Sequence, residues 1–297
     1  MEILITGGNG QLANEIKGII NTGKSDIGKI NTNNINSIFY GSKELDISNH
    51  KQVNDVINRV KPDIVINCAA YTNVDGCETD PDKAFMVNSI GPRNLAIECE
   101  KIGAKLVHIS TDYIFSGDSN KPQKEYDLAN PKSIYGSTKL MGENYVREFS
   151  SKYFIIRTSW LYGEKGNNFV YTIINLAKTK KEIMVVNDQI GNPTNANDVA
   201  FHILKLINTE EYGIYNCTGE GECSWYDFAK RIVDLLGEDC IVNPCTTEEF
   251  PRPAKRPAYS SLDNMMLRCT VGNDMRQWKD AIDCFMKKYM KVEGNRK

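Results

Sequence analysis

Thr6-Gly7-Gly8-Asn9-Gly10-Gln11-Leu12-Ala13 decides the fold. It lies between a short apolar run, residues 3–6, and a helical stretch, residues 11–20. Glycine at 7 permits a tight strand-to-helix turn, and glycine at 10 lets the backbone approach a pyrophosphate at the helix N-terminus. Ala13 takes the place of the last glycine of the usual fingerprint and is small enough for the helix to lie close to the strand. Glycines also occur in ordinary strand-to-helix turns. Here the turn opens a β-α-β pattern, the context that makes dinucleotide binding the reading.

Outward from this turn, β-branched runs alternate with helical stretches. Residues 3–6, 37–40, 64–67, 106–110 and 154–158 read as buried strands, and residues 11–20, 50–60, 81–101 and 135–149 as helices. Alternation of this kind predicts an α/β fold: a Rossmann-type doubly wound parallel sheet with right-handed crossovers. Ligands of such sheets bind at the carboxyl edge of the strands. After about residue 160 the pattern loosens into loops rich in Asn, Gly and Pro. Helices follow near 197–207 and 225–236, then Pro251-Arg252-Pro253-Ala254-Lys255-Arg256-Pro257, then a last helix near 274–289. The expected division is an NAD(P)-binding domain over 1–165, with later segments returning to it, and a small C-terminal substrate-binding lobe mainly over 166–297. The lobe reads as too irregular for a second independent core.

Composition narrows the class. A formal net charge of -2 carries no basic excess for nucleic acid. No apolar run reaches the roughly 20 residues that span a bilayer, so no membrane partner is expected. Met1-Glu2-Ile3-Leu4-Ile5-Thr6-Gly7 lacks a basic leader and enters the glycine turn at once, which makes a cytoplasmic location the expectation. The 9 cysteines then read as reduced thiols, and no Cys-x-x-Cys pair occurs. With only 3 histidines, no metal centre is expected.

The strand-end segment Ser110-Thr111-Asp112-Tyr113 and the helix start Tyr135-Gly136-Ser137-Thr138-Lys139 carry the chemistry. Residues four apart lie on one helix face, so the Lys139 ammonium is expected to favour the Tyr135 phenolate and lower its pKa. A tyrosine so tuned delivers a proton to a carbonyl oxygen as hydride arrives at carbon. Thr111 would hydrogen-bond the same oxygen. The second strand ends Phe39-Tyr40-Gly41-Ser42-Lys43 with no acid at its tip. Ser42 and Lys43 would suit a 2′-phosphate, so NADPH is the expected cofactor, with NADH open and Lys43 equally a surface lysine.

Taken together, the glycine turn, the Ser-Thr strand end and Tyr-x-x-x-Lys resemble the extended short-chain dehydrogenase/reductases over residues 1–165. Further stretches resemble the dTDP-4-dehydrorhamnose reductase family through Arg256-Pro257. These are Gly10-Gln11-Leu12, the run from Asn67 to Asp75, Ser110 to Phe115, Arg157 to Gly163, Gly166 to Phe169 and Asn187 to Thr194. The resemblance implies reduction of a 4-keto group on a nucleotide-linked deoxysugar, with Thr111, Tyr135 and Lys139 in the catalytic places. It implies cofactor contacts at Gly7, Gly10, Gln11, Leu12, Asp46, Ile47, Ala69, Ala70, Tyr71 and Thr72, besides Tyr135 and Lys139. Tyr113, Trp160, Asn168, Gln189, Thr194 and Arg256 are the substrate candidates. From the residues alone, Trp160 also reads as core, and Asn168, Gln189 and Thr194 also read as turn formers. Arg256, between prolines, would suit a diphosphate through its fork of donors. Asp75 and Glu78 also read as plain helix-start carboxylates.

Glu15 matches an acid that joins a metal-linked dimer in some members, but Asn197 stands where another acid is expected. A monomer or a homodimer without metal is therefore expected. Dehydratases of this fold use an aspartate–glutamate pair after the threonine, whereas here Asp112 is followed by Tyr113. Two alternatives stay open: a reductase of another nucleotide-linked 4-keto-deoxysugar, and a non-catalytic dinucleotide-binding subunit like the regulatory subunit of methionine adenosyltransferase.

Overall fold

A computed structural model describes residues 1–294. The last three residues of the 166–297 lobe lie outside the described residues. Strands β1 (Glu2–Thr6), β2 (Asn36–Tyr40), β3 (Ile64–Asn67), β4 (Lys105–Thr111) and β5 (Tyr153–Thr158) form one parallel sheet with the edge strand Gly213–Asn216. Their order is β2-β1-β3-β4-β5 and then the edge strand. The chain therefore reverses direction across the sheet between β1 and β3, and that reversal opens a crevice at their carboxyl ends.

Alternating side chains feed two apolar layers. Ile3, Ile5, Ile64, Ile66, Val107, Phe154 and Ile156 pack under α1 (Gln11–Thr22) and the Ala196–Leu206 helix. Leu4, Val65, Leu106 and Ile155 pack against α2 (His50–Val60), the Gly91–Ile102 helix and Val146 of the Ile134–Phe149 helix. Burying a residue of this size contributes roughly 1.5–3 kcal/mol, so the two layers carry most of the fold.

Two expectations need correction. The helix expected over 81–101 is three pieces: Pro81–Phe85, a π-helical turn Met86–Ile90, and Gly91–Ile102. Pro92 has no N–H to give the Asn88 carbonyl, and its ring would crowd that oxygen in a regular α-helix, so the turn before it widens. The last helix is Trp278–Gly294 and starts later than 274.

The C-terminal lobe also has a core of its own. Tyr162, Val170, Ile174, Phe228, Ile232, Trp278, Ile282 and Phe285 form a buried cluster. It is built by the helices Phe169–Thr179, Trp225–Leu236 and Trp278–Gly294 against a two-stranded parallel ribbon, Glu182–Val186 and Ile241–Cys245. These segments are distant in sequence, and each exposes an apolar face only the others can cover. Among the described residues no helix is long and apolar enough to cross a membrane. All nine cysteines are free thiols.

Candidate active site

A cavity of about 510 Å³ opens at the carboxyl ends of β1, β3, β4 and β5. Gly10, Gln11 and Leu12 line one end, and Ala70 and Thr72 continue the wall after β3. Gly7 sits in the left-handed region at φ 64°, and a side chain there would meet the Ala69 nitrogen at 2.6 Å, so only glycine fits the turn. Helix α1 has no side-chain cap at Gly10, which leaves first-turn N–H groups to an anion.

Thr111 ends β4, where its hydroxyl donates to Asp112 Oδ1 at 2.9 Å and accepts from the Tyr113 N–H at 3.2 Å. Ser133 caps the Ile134–Phe149 helix by accepting from the Gly136 N–H, and Glu78 accepts from the Ile134 N–H at 2.8 Å. That start places Tyr135 against Tyr113, ring edge to face with centroids 5.5 Å apart. Thr111, Tyr113, Tyr135, Lys139 and Trp160 all line the cavity.

Electrostatics within it differ from the sequence expectation in one respect. Burial pushes the Tyr135 phenol up, with the Thr111 hydroxyl pulling the other way, so the phenol is held protonated. The Lys139 ammonium donates instead to the Ile109 carbonyl at 2.5 Å, so burial outweighs the lowering expected from the lysine. Burial brings Lys139 down to about 8, and the Glu143 carboxylate opposes that shift. Burial also raises Asp112 to about 6, with the nearby Ser260 and Thr111 hydroxyls pulling the other way.

Beneath the lysine, Thr6 donates to Asn67 Oδ1 at 2.7 Å, and the Asn67 amide meets His108 Nδ1 at 3.1 Å. The Ala69 N–H also reaches Asn67 Oδ1, so the amide nitrogen faces the histidine and donates to it. Burial keeps that imidazole neutral. One turn further along the helix, Glu143 holds Arg157 through both oxygens, fully buried.

Several residues expected at the site are engaged elsewhere. Asp46 is exposed and accepts from Ser48, while Ile47 is core and its carbonyl takes the Asn94 amide. Tyr71 bonds Asn88 through its main chain. Ser42 and Lys43 are exposed beyond β2. Asn168 caps the Phe169–Thr179 helix and donates to Gln11 Oε1 at 2.9 Å, which ties the lobe to the glycine turn. Gln189 donates to Thr247, and Thr194 bonds Gly219 and Asn192. Arg256 grips both oxygens of Asp75 at 3.1 Å, so its fork of donors is already used. Glu15 accepts from Asn197 at 2.8 Å and from the Glu164 N–H at 3.1 Å.

Beyond the site candidates named from the sequence, the cavity is also lined by Ser110, Asp112, Thr158 and Trp225, among others. Ser110 Oγ, Asp112 Oδ2 and Thr158 Oγ1 are buried without a protein partner, and all three residues face the cavity. Trp225 stacks on Trp160 with centroids 3.5 Å apart. Only Ser110 and Asp112 carried a signal, as neighbours of Thr111.

Residues 1–291 match a family model described as RmlD substrate binding domain. A crystal structure of a dTDP-4-dehydrorhamnose reductase from Clostridium acetobutylicum is 49% identical, with a TM-score of 0.93 and coverage of 98% of this chain and 100% of its own. The dTDP-4-dehydrorhamnose reductase of Bacillus anthracis, solved in complex with NADP, is 42% identical with a TM-score of 0.91, covering 97% of this chain and 99% of its own. The spore coat polysaccharide biosynthesis protein SpsK of Bacillus subtilis is 40% identical over 281 residues, 95% of each chain.

Proposed function

Because the chain belongs to the RmlD substrate binding domain family, we propose that it reduces dTDP-4-dehydrorhamnose (dTDP-4-dehydro-6-deoxy-L-mannose) to dTDP-L-rhamnose with NADPH. The observation that carries this reading is one cavity lined by Gly10, Gln11 and Leu12 at one end and by Thr111, Tyr135 and Lys139 beside them.

The residues fit a dinucleotide: an uncapped helix N-terminus behind a glycine turn, and buried polar atoms of Ser110, Asp112 and Thr158 with no protein partner. Gly7, Gly10, Gln11 and Leu12 would hold the pyrophosphate, and Asp46 and Ile47 the adenosine. Ala69, Ala70, Tyr71 and Thr72, with Tyr135 and Lys139, would hold the rest. The residues directly after β2, Gly41-Ser42-Lys43, carry no acid, which suits a 2′-phosphate, while the Glu44 carboxylate lying over Gly41 leaves NADH usable.

Reduction of the C4 carbonyl takes one hydride, which the nicotinamide supplies when bound, and one proton, which this chain supplies. Tyr135 holds that proton on its phenol and gives it to the C4 oxygen as negative charge develops there. The Thr111 hydroxyl, which gives its one proton to Asp112 Oδ1 here, would turn that proton to the same oxygen as charge develops there. The buried Lys139 ammonium supplies the positive field under the tyrosine as the proton leaves. Trp160 and Tyr113 wall the sugar. Asn168, Gln189, Thr194 and Arg256 fix the surrounding loops, from which they reach the nucleotide only by changing partners.

We place the reaction in the cytoplasm, carried out by a monomer or homodimer. The likeness to the Bacillus subtilis spore coat protein supports a role in cell-surface polysaccharide synthesis. Purified protein with NADPH and enzymatically made dTDP-4-dehydrorhamnose tests the reading. Sugar-dependent loss of reduced-nicotinamide absorbance is expected, and its absence while NADPH still binds would reject this substrate.

A further inference from the structure

Trp160 is one of two non-glycine residues with positive φ among the described residues, at 45°. A bulky side chain rarely adopts this conformation, and holding one there costs free energy that neighbouring contacts must offset. The contacts are visible. The Trp160 indole lies so close to Gly191 that a side chain there would meet its Cε2 at 2.6 Å. On its other side the Trp225 indole stacks at a centroid distance of 3.5 Å and an interplanar angle of 7°. Phe169 leans on Trp225 in turn, with centroids 4.4 Å apart.

Trp225 is the first residue of the Trp225–Leu236 helix, and its place is set by a capping box in which Ser224 and Asp227 satisfy each other's main-chain N–H. Both tryptophans are half-buried and line the same cavity as Thr111 and Tyr135. The cavity thus joins a polar wall suited to the carbonyl with an aromatic wall suited to apolar surface.

We propose that Trp225 is a positioning residue for the sugar: it clamps Trp160 in its left-handed setting, so that the paired rings pack the methyl-bearing edge of a 6-deoxyhexose. This rests on the reductase reading above. An aromatic wall accepts a methyl group, while a hydroxyl in the same place would be buried without a partner, so the wall favours 6-deoxy sugars.

The test compares dTDP-L-rhamnose with dTDP as ligands of the NADP-loaded protein by calorimetry. Trp225→Ala is expected to weaken dTDP-L-rhamnose by about tenfold or more while dTDP and NADPH stay within about twofold, as for loss of a buried aromatic anchor. Trp225→Leu restores apolar volume without a stacking plane and is expected to behave like Ala. Trp225→Phe, which keeps a ring, is expected to recover most of the affinity. The exciton signal of the stacked indoles in circular dichroism is expected in the parent and absent from all three variants, Trp225→Phe included. Equal weakening of dTDP and dTDP-L-rhamnose, or parental binding by Trp225→Leu, would overturn the proposal. A parent protein that binds dTDP but not dTDP-L-rhamnose would overturn the reductase reading itself.

Discussion

The Lys139 ammonium donates to the Ile109 carbonyl at 2.5 Å and is thereby anchored to the central sheet, one helical turn from Tyr135. The lysine is buried to 2% exposure, so its charge is kept against a desolvation cost that lowers its pKa to about 8.

That value has a kinetic consequence. Below about 8 the ammonium is present, and above it the charge is lost. The kcat/KM for the sugar is therefore expected to fall with rising pH, by about tenfold per unit once past that point. A profile flat from pH 6 to 10 would remove Lys139 from its assigned role.

Tyr135→Phe deletes the proton and little else, since the ring still fills its place beside Tyr113. Turnover is expected to drop at least about a hundredfold, the size of acid catalysis, with the NADPH dissociation constant nearly unchanged. Stopped-flow turnover and fluorescence titration measure the two separately. Near-normal turnover would mean that another group gives the proton.

Glu143 and Arg157 form a buried pair, at 1% and 4% exposure. Glu143→Gln leaves the guanidinium buried without a counter-charge, and a loss of about 3 kcal/mol in unfolding free energy is expected by urea denaturation. The same carboxylate sustains the Lys139 charge, so the alkaline limb of the pH profile should also move to lower pH. Lost stability with an unmoved limb would uncouple the two residues.

Asp112 links pH to stability. Its carboxyl is raised from 3.8 to about 6 in the fold. Below about 4 both the folded and unfolded chains carry the proton, and this group costs nothing. Between about 4 and 6 only the unfolded chain ionises, so stability falls as pH rises; above 6 the full penalty, about 3 kcal/mol, is present. Asp112→Asn has no such dependence, so its unfolding free energy relative to the parent should climb between pH 4 and 7.5. A constant difference would show that Asp112 titrates normally.

What could be read from the chain was what local chemistry specifies. The glycine turn, the Ser-Thr end of β4 and the Tyr-x-x-x-Lys helix start each carry their signal within a few residues, and the structure gathers them around one cavity. What could not be read depends on distant partners. Arg256 showed a free fork of donors, but Asp75, 181 residues away, takes it. The lobe core needs three helices from separate segments, none of them sufficient alone. Trp225 looked like an ordinary first helical residue until Trp160 was placed beneath it. The π-helical turn was signalled by Pro92, whose effect on the Asn88 carbonyl shows only once the helix is built.

The most direct test of the central claim follows the hydrogen itself. The protein is given dTDP-4-dehydrorhamnose and NADPH deuterated at the transferring position, and the product is read by mass spectrometry and nuclear magnetic resonance. One deuterium at C4 of dTDP-L-rhamnose is predicted, with the hydroxyl proton exchanged from solvent. Unlabelled product, or a recovered keto sugar beside intact cofactor, would contradict the assignment.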